Sequence, residues 1–163
     1  MRWALLLPAL LALSCGGAKT RPATTPSDTG ESGLDTPETR CLAIARGTRE
    51  RRKDEPEKIV AKHVLVQFAG AKGAKPDIKR TRGEACLRAL EARAQLQGGE
   101  SFAAVVASYS DEPGAATREG TVGTVRRSDL VPPFADAAFE MQRGEVSHVV
   151  ETEFGYHVIL RAE

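Results

Sequence analysis

The feature that most constrains the fold is a ten-residue run, 59–68, in which most residues are β-branched or otherwise apolar (Ile-Val-Ala-Lys-His-Val-Leu-Val-Gln-Phe). A run of this composition is typical of a strand in the centre of a sheet, largely buried on both faces. Gly70, Gly73 and Pro76 follow and end it. The chain is therefore predicted to build a sheet around this strand.

A long helix is predicted after the loop that follows the strand. Thr81 and Glu84 have the spacing that lets each side chain satisfy an unpaired backbone amide of a first helical turn. Gly98-Gly99 ends this helix. The helical period predicts that one face of it carries Leu87, Leu90, Ala94 and Gln97.

Two shorter helices and three more strands complete the predicted elements. Ser101 is placed to cap a helix ending at Tyr109, and Pro132-Pro133 begin another. The strands are expected at 121–125, 146–151 and 156–161, with a hairpin loop at 152–155. The order β-α-α-β-α-β-β predicts a small α+β domain with a four-stranded, mostly antiparallel sheet.

The first fifteen residues are typical of an export signal. Arg2 supplies a positive charge, and the apolar run 3–13 ends at small residues. This run is shorter than the ~20 residues that a membrane-spanning helix needs. We therefore expect a signal peptide over 1–15 rather than a permanent transmembrane helix.

Cys15 ends this segment in Leu-Ala-Leu-Ser-Cys, which resembles a bacterial lipoprotein box. Ala12 stands where the box usually has a large aliphatic residue, so ordinary secretion is the alternative to lipidation of Cys15. Gly16 replaces the aspartate that favours retention at the inner membrane. The resemblance therefore implies a lipid-anchored protein of the cell envelope, at the outer membrane and facing the periplasm.

Residues 16–57 are expected to form a linker that is disordered or partly helical. The part up to Thr39 is rich in Thr, Pro, Gly and Ser, with Leu34 almost its only large apolar residue, and cannot bury enough surface to offset its ordering entropy. Helix is expected around 41–45. The remaining residues, 58–163, suffice for one domain, and the net charge of +1 gives no reason to expect nucleic acid as a partner.

Cys41 and Cys86 leave two alternatives open. An oxidising compartment permits them to form a disulfide. Cys86 also falls within the pattern of the long helix, where a buried thiol behaves as a small hydrophobic side chain. The sequence does not decide between these alternatives.

Beyond this pattern, the domain resembles the parvulin family of peptidyl-prolyl isomerases along nearly its whole length. The resemblance is carried by ordered segments that look like the first strand, the segment leading into the active-site loop, the second strand, the following helix and the closing hairpin: Lys62–Val66, Ala107–Asp111, Gly120–Gly123, Pro133–Phe139, Gly144–Ser147 and Gly155–Leu160. It implies catalysis of X-Pro isomerisation, in which no covalent bond is made or broken.

The resemblance also implies the residues of the site. His63 and His157 are expected side by side on neighbouring strands, with Thr152 close by and Glu112 at the position that holds a cysteine or an aspartate in other parvulins. The substrate slot is implied to consist of Val122, Leu130 and Phe134. From residue types alone, a strand histidine and Phe134 are more often core residues than site residues, and Glu112 is equally typical of a solvated loop acid.

Neither a metal nor a cofactor is expected, because the histidines lack helical His-x-x-x-His spacing and the cysteines are scattered. The lysines at 72 and 75 are interpreted as a solvated loop rather than a phosphate site. The expected partners are proline-containing polypeptides and, through the lipid, a membrane. The alternative function is a catalytically weak, chaperone-like module that binds extended or unfolded chains.

Overall fold

The computed structural model describes residues 35–163 of the protein, so the predicted signal at 1–15, Cys15 and the linker up to residue 34 lie outside the described residues. The elements, in chain order, are α1 Pro37–Ala45, β1 Ile59–Val66, α2 Arg82–Gln97, α3 Phe102–Tyr109, β2 Thr121–Val125, a 3₁₀ turn Arg127–Asp129, α4 Pro132–Glu140, β3 Val150–Thr152 and β4 Gly155–Arg161. Within this part of the chain, no helix is long and apolar enough to cross a membrane.

The four strands form one antiparallel sheet in the order β2-β1-β4-β3. The apolar run that begins at Ile59 is therefore a central strand, and the predicted α+β fold with its element order is confirmed. β1 and β4 are paired so that Leu65 lies opposite His157 and Val64 opposite Val158. Because side chains alternate between the faces of a sheet, His157 and its neighbour Val158 point to opposite sides.

The predicted third strand is longer than the observed one. Val146 makes only an isolated bridge to Leu160, and β3 itself begins at Val150. The interruption has a local cause, because the hydroxyl of Ser147 accepts the hydrogen bond of the Ile159 amide at 2.9 Å, in place of a backbone carbonyl. The hairpin loop is also shorter than predicted, since Thr152 pairs directly with Gly155.

The predicted helix starts are confirmed. At the start of α2, the Glu84 amide donates to the Thr81 hydroxyl at 3.2 Å and the Glu84 carboxylate accepts from the Thr81 amide at 2.7 Å. Ser101 caps α3 by accepting from the Ala104 amide at 3.2 Å. Each cap satisfies backbone donors that a helix start leaves without an intrahelical partner.

The face of α2 that the large apolar residues predicted, with Leu87 and Leu90, is not the face that the helix buries. Leu90 is 41% exposed, and the fully covered face consists of Ala85, Cys86, Ala89 and Ala92. These small side chains allow close packing of α2 against the sheet and against α1. A hydrophobic period read from the large residues alone therefore points to a face about one residue away from the true one.

α1 packs on α2 and is joined to it by a disulfide between Cys41 and Cys86, whose Cα atoms lie 6.0 Å apart. Both cysteines are buried. The helix expected around 41–45 is present and begins at Pro37. The packed structure thus extends upstream of residue 58, and the segment between α1 and β1 belongs to it.

The sheet separates two apolar clusters. One face packs against α1, α2 and α3 through residues such as Val64, Val66 and Val158. The other face carries Ile59 and Ile159 and packs against α4. The histidines predicted for the site lie on this second face, beside α4.

Candidate active site

A cleft of about 510 Å³ opens between α4, β2 and the second face of the sheet. Six of the seven predicted site residues line it, and the seventh, Thr152, lies behind His157. The lining residues are His63, Leu65, Glu112, Arg118, Thr121, Val122, Asp129, Leu130, Val131, Phe134, Phe154 and His157. The structure therefore brings together residues that are up to about a hundred positions apart in the chain.

The centre of the cleft is a hydrogen-bonded pair of histidines. The Nδ1 atoms of His63 and His157 lie 3.1 Å apart, and the two rings are stacked with centroids at 5.3 Å. On the far side of His157, Nε2 lies 2.7 Å from the Thr152 hydroxyl. On the other side, Nε2 of His63 lies 3.0 Å from a carboxylate oxygen of Glu112.

These contacts form one chain, and the hydrogen-bonding capacity of each group restricts its direction. With His63 neutral, Thr152 donates to His157, which donates to His63, which donates to Glu112. A proton on Nδ1 of His63 reverses the first two bonds, so that His157 takes its other neutral tautomer and donates to Thr152. In both cases the Glu112 carboxylate accepts, and His157 carries no charge.

The burial of His157 fits this assignment. Its side chain is enclosed in the sheet, and burial, together with the neighbouring His63, lowers the pKa of His157 well below 6.5. The Thr152 hydroxyl also accepts from the Phe154 amide at 3.1 Å, which fixes its position in the hairpin. The Thr152 end of the hydrogen-bonded chain is thus held in place and carries no charge.

Glu112 is the charged end of the chain and lies at the mouth of the cleft. Its side chain is 28% exposed and pairs with Arg118 at 2.7 Å. The hydrogen bond from His63 and the positive charge of Arg118 hold the pKa of Glu112 below 4.5. Arg118 was not predicted, because no motif marks an isolated arginine in a long loop.

The loop that carries Glu112 is fastened to β1 by the two residues before it. The amide of Leu65 donates to the Ser110 hydroxyl at 3.2 Å. The carboxylate of Asp111 accepts from the Gln67 amide at 2.8 Å and pairs with Arg80. These bonds explain why a loop residue can present a carboxylate to His63 at a fixed distance.

Gly120 allows the end of this loop to approach β1. It has φ +70°, and a Cβ at this position would lie 2.4 Å from the carbonyl oxygen of His63. The amide of His63 donates to the Gly120 carbonyl at 2.8 Å. Any other residue would push the loop and β2 away from His63, so this glycine sets the width of the cleft.

The apolar wall of the cleft faces the histidines. Phe134 is 4% exposed, and its ring makes edge contacts with His63 and His157, with centroid distances of 5.6 Å and 5.2 Å. Leu130 packs against the same cluster, and Val122 is exposed on β2. Phe134 is therefore both a core residue and a wall of the cleft, and the two interpretations from sequence are compatible.

Two other features noted in the sequence lie outside this arrangement. His148 is exposed and does not line the cleft. In the lysine-bearing loop, Lys72 pairs with Glu153 at 2.9 Å and lies 5.0 Å from the Phe154 ring. Residues 35–163 contain no group of three or more His, Cys, Asp or Glu side chains that could hold a metal ion.

Comparison with known proteins gives relatives for this fold and site. The chain is similar to the chaperone SurA of Chromohalobacter salexigens, with 35% identity over 118 residues, which are 72% of this chain and 25% of that protein. It is similar to the foldase protein PrsA of Halalkalibacterium halodurans, with 42% identity over 66 residues, or 40% of this chain and 20% of that one. The chain thus corresponds to about a quarter or less of these curated relatives.

A solved structure and a family model cover most of the folded part. Peptidyl-prolyl isomerase ESS1 from Candida albicans matches with a TM-score of 0.60 and 28% identity, over 70% of this chain and 66% of that one. The model of the rotamase family, the PPIC-type PPIase domain, matches residues 63–163, which is more than half of the chain. This protein therefore belongs to the PPIC-type, or parvulin, family of peptidyl-prolyl isomerases.

Proposed function

We propose that the protein is a peptidyl-prolyl cis-trans isomerase that accelerates X-Pro isomerisation during the folding of exported proteins. The observation that carries the proposal is the meeting of an apolar wall, Phe134, with the hydrogen-bonded chain from Glu112 to Thr152. A proline ring is apolar and its amide is polar, so a site for X-Pro needs both surfaces side by side.

The chemistry follows from the electronic structure of the amide. The planar amide has partial negative charge on oxygen, partial positive charge on nitrogen and a rotation barrier near ~20 kcal/mol. Twisting the C–N bond removes this charge separation. An apolar slot around the ring, and the anionic Glu112 close to the carbonyl oxygen, both disfavour the planar form relative to the twisted one and so lower the barrier.

The histidines have a supporting role in this mechanism. His63 donates to Glu112 and fixes its orientation, while His157 and Thr152 fix His63. Preorganised polar groups need no rearrangement when the substrate twists. The assigned roles are therefore charge for Glu112, orientation for His63, His157 and Thr152, and ring binding for Val122, Leu130 and Phe134.

The direct test is exchange NMR on a short Ala-Pro peptide with the full chain, because it detects cis-trans turnover at equilibrium. We expect exchange between the two isomers that is lost in Phe134→Ala. A chain that binds the peptide, as seen from chemical shifts, but leaves its exchange rate unchanged would overturn the isomerase proposal.

A chaperone-like binding module is the second candidate, favoured by the similarity to a protein named chaperone SurA. Such a module needs the cleft but not the carboxylate. Suppression of the aggregation of an unfolded client should then survive Glu112→Ala, whereas turnover on the Ala-Pro peptide should not. The two measurements on one variant separate the two functions.

We also propose that the protein is exported and anchored by lipid on Cys15, in the outer membrane and facing the periplasm, with residues 16–34 as a tether. The buried disulfide supports an oxidising compartment, and the pattern of residues 1–15 supports export. The test is the intact mass of the protein recovered from cell membranes. Lipidation predicts cleavage before Cys15 and an added acyl mass that Cys15→Ala abolishes.

A further inference from the structure

The segment between α1 and β1, residues 46–58, runs across the side of the domain and is called here the strap. Near its start, Arg46 pairs with Glu151 of β3 at 2.7 Å. Further along, Arg49 pairs with Glu140 at the end of α4 at 3.1 Å. The strap lies upstream of residues 63–163, which the family model matches. Its contacts therefore lie outside the part of the chain that the family model describes.

The last part of the strap reaches the 3₁₀ turn through Glu55. Its carboxylate accepts two hydrogen bonds from Arg127, at 2.9 Å from Nε and 2.8 Å from Nη2, and its side chain is only 10% exposed. A bidentate pair of this kind fixes the orientation of both groups. The guanidinium also lies 5.3 Å from the ring centroid of Phe139.

Arg127 connects the strap to the apolar wall of the cleft. It begins the 3₁₀ turn that leads into Leu130, and it also pairs with Asp136 on α4. Leu130, which directly follows the turn, and Phe134 on α4 both line the cleft. Arg127 thus links the turn to α4, and Glu55 holds Arg127 from outside.

We propose that Glu55 is a positioning residue for the substrate slot. Through Arg127 it sets the spacing between Leu130 and Phe134, and so the affinity for the proline ring, without contact to the substrate. The proposal rests on the proposed isomerase function for the identity of the substrate. The effect of Glu55 on the positions of Leu130 and Phe134 can be measured even if the protein does not catalyse isomerisation.

Glu57 provides a matched control on the same strap. It pairs with Arg126 at 3.1 Å, yet its side chain is 79% exposed, and an exposed pair contributes little. Glu55→Gln and Glu57→Gln remove the same charge within two residues of each other. Only the first one removes a largely buried bidentate contact.

The experiment compares these two variants of the full chain with the unmodified protein. Exchange NMR on the Ala-Pro peptide gives kcat and KM, and amide shifts report on Leu130 and Phe134. For Glu55→Gln we expect kcat/KM to fall about three- to tenfold, mainly through KM, with shift changes at both amides. Glu57→Gln should stay within about twofold of the unmodified protein.

Each remaining outcome decides the proposal. Equal KM values and equal shifts in the two variants overturn it, and so does a loss of stability with unchanged KM, since that is a merely structural role. If the unmodified chain shows no accelerated exchange, the isomerase proposal fails, and the peptide Kd with the amide shifts still tests Glu55. If Glu55→Gln does not fold, Glu55→Asp, which keeps the charge on a shorter arm, should raise KM above that of Glu57→Gln, and an equal KM in these two variants overturns the proposal.

Discussion

At the scale of single residues, Glu112 and Thr152 hold opposite ends of one hydrogen-bonded chain. The carboxylate of Glu112 is an acceptor of fixed charge, whereas the Thr152 hydroxyl can donate or accept. His157 can therefore take either neutral tautomer without losing a hydrogen bond, while His63 donates to Glu112 in both arrangements. The charge stays at the substrate end of the chain, where a twisting amide would meet it.

Removing this charge should slow turnover while the fold is kept. In Glu112→Gln the side chain can still accept from His63, but the negative charge is gone. We expect kcat/KM on the Ala-Pro peptide to fall roughly ten- to hundredfold. Glu119→Gln is the control, because Glu119 is 59% exposed and pairs only with Lys62 among the ion pairs of the described residues. Equal rates in the two variants would show that the carboxylate has no part in turnover.

Acid should destabilise the protein through His157. The folded chain keeps His157 neutral, since burial lowers its pKa well below 6.5, whereas the unfolded chain binds a proton there below about pH 6.5. More protons on the unfolded state mean that the free energy of unfolding falls as pH drops below about 6.5, by up to about 1.4 kcal/mol per pH unit. Glu112 adds a loss in the same direction below about pH 4.5, because its pKa is lowered in the folded state.

Urea unfolding between pH 7 and pH 5 measures this slope. His157→Gln should flatten it, whatever the variant's stability at pH 7. His148→Gln is the matched control: partial desolvation and the nearby Arg93 and Arg49 lower the pKa of His148, but His148 is exposed whereas His157 is buried, so its removal should change the slope less. A slope that is the same in the unmodified chain and in His157→Gln would contradict the assignment.

The sequence located the cleft residues through the family resemblance. His63 and His157 lie on two runs of apolar residues, and the family resemblance placed these runs side by side. Arg118 and Asp129 could not be found in the same way, since each joins the cleft only through the path of a loop. That path depends on tertiary contacts such as the one between Gly120 and His63.

At the scale of elements, α2 shows where periodicity misleads. The large residues of a helix usually mark its buried side, but here the closest contacts use alanine and cysteine. One reason is the second helix: α1 is joined to α2 through Cys41 and Cys86, and Glu38 of α1 lies close to Gly83. The sequence offered the Cys41–Cys86 pairing only as one of two alternatives, because α1 belongs to a stretch whose composition resembles a linker.

The disulfide between these helices should contribute strongly to stability. Cys41 and Cys86 are 45 positions apart, and closing a loop of this length in the unfolded chain corresponds to about 4 kcal/mol at most. We expect Cys41→Ala with Cys86→Ala, or reductant on the unmodified chain, to lower the free energy of unfolding by about 2–4 kcal/mol. Urea unfolding checks this, with reductant on the double variant as the control. An unchanged midpoint on reduction would contradict the expectation.

At the scale of the whole molecule, the folded unit is larger than the part that the family model matches. α1 and the strap add a disulfide and ion pairs with β3, α4 and the 3₁₀ turn. They contact α2 at Cys86 and α4 at its last residue, Glu140. The boundary predicted at residue 58 follows a change in composition, and composition does not report such contacts.

A fragment of residues 58–163 should therefore be less stable than the double cysteine variant of the full chain. It loses the same covalent link and, in addition, the packing of α1 on α2, which buries Cys41 and Ala45 in the core cluster that contains Cys86. We expect its urea midpoint to be the lowest of the three proteins, with the full chain highest. A fragment as stable as the double variant would show that α1 contributes only through the disulfide.

The link between α1 and α2 also determines what a protease can do to this molecule. The strap carries four arginines and a lysine between positions 46 and 53, each a possible site for trypsin. A cut there would break the chain but not release its first part, because Cys41 remains bound to Cys86. On a gel without reductant the nicked protein would migrate like the intact one, and only reductant would separate it into two pieces. A single cut in the strap would thus sever the polypeptide while α1, and any membrane anchor upstream of it, stayed attached to the domain.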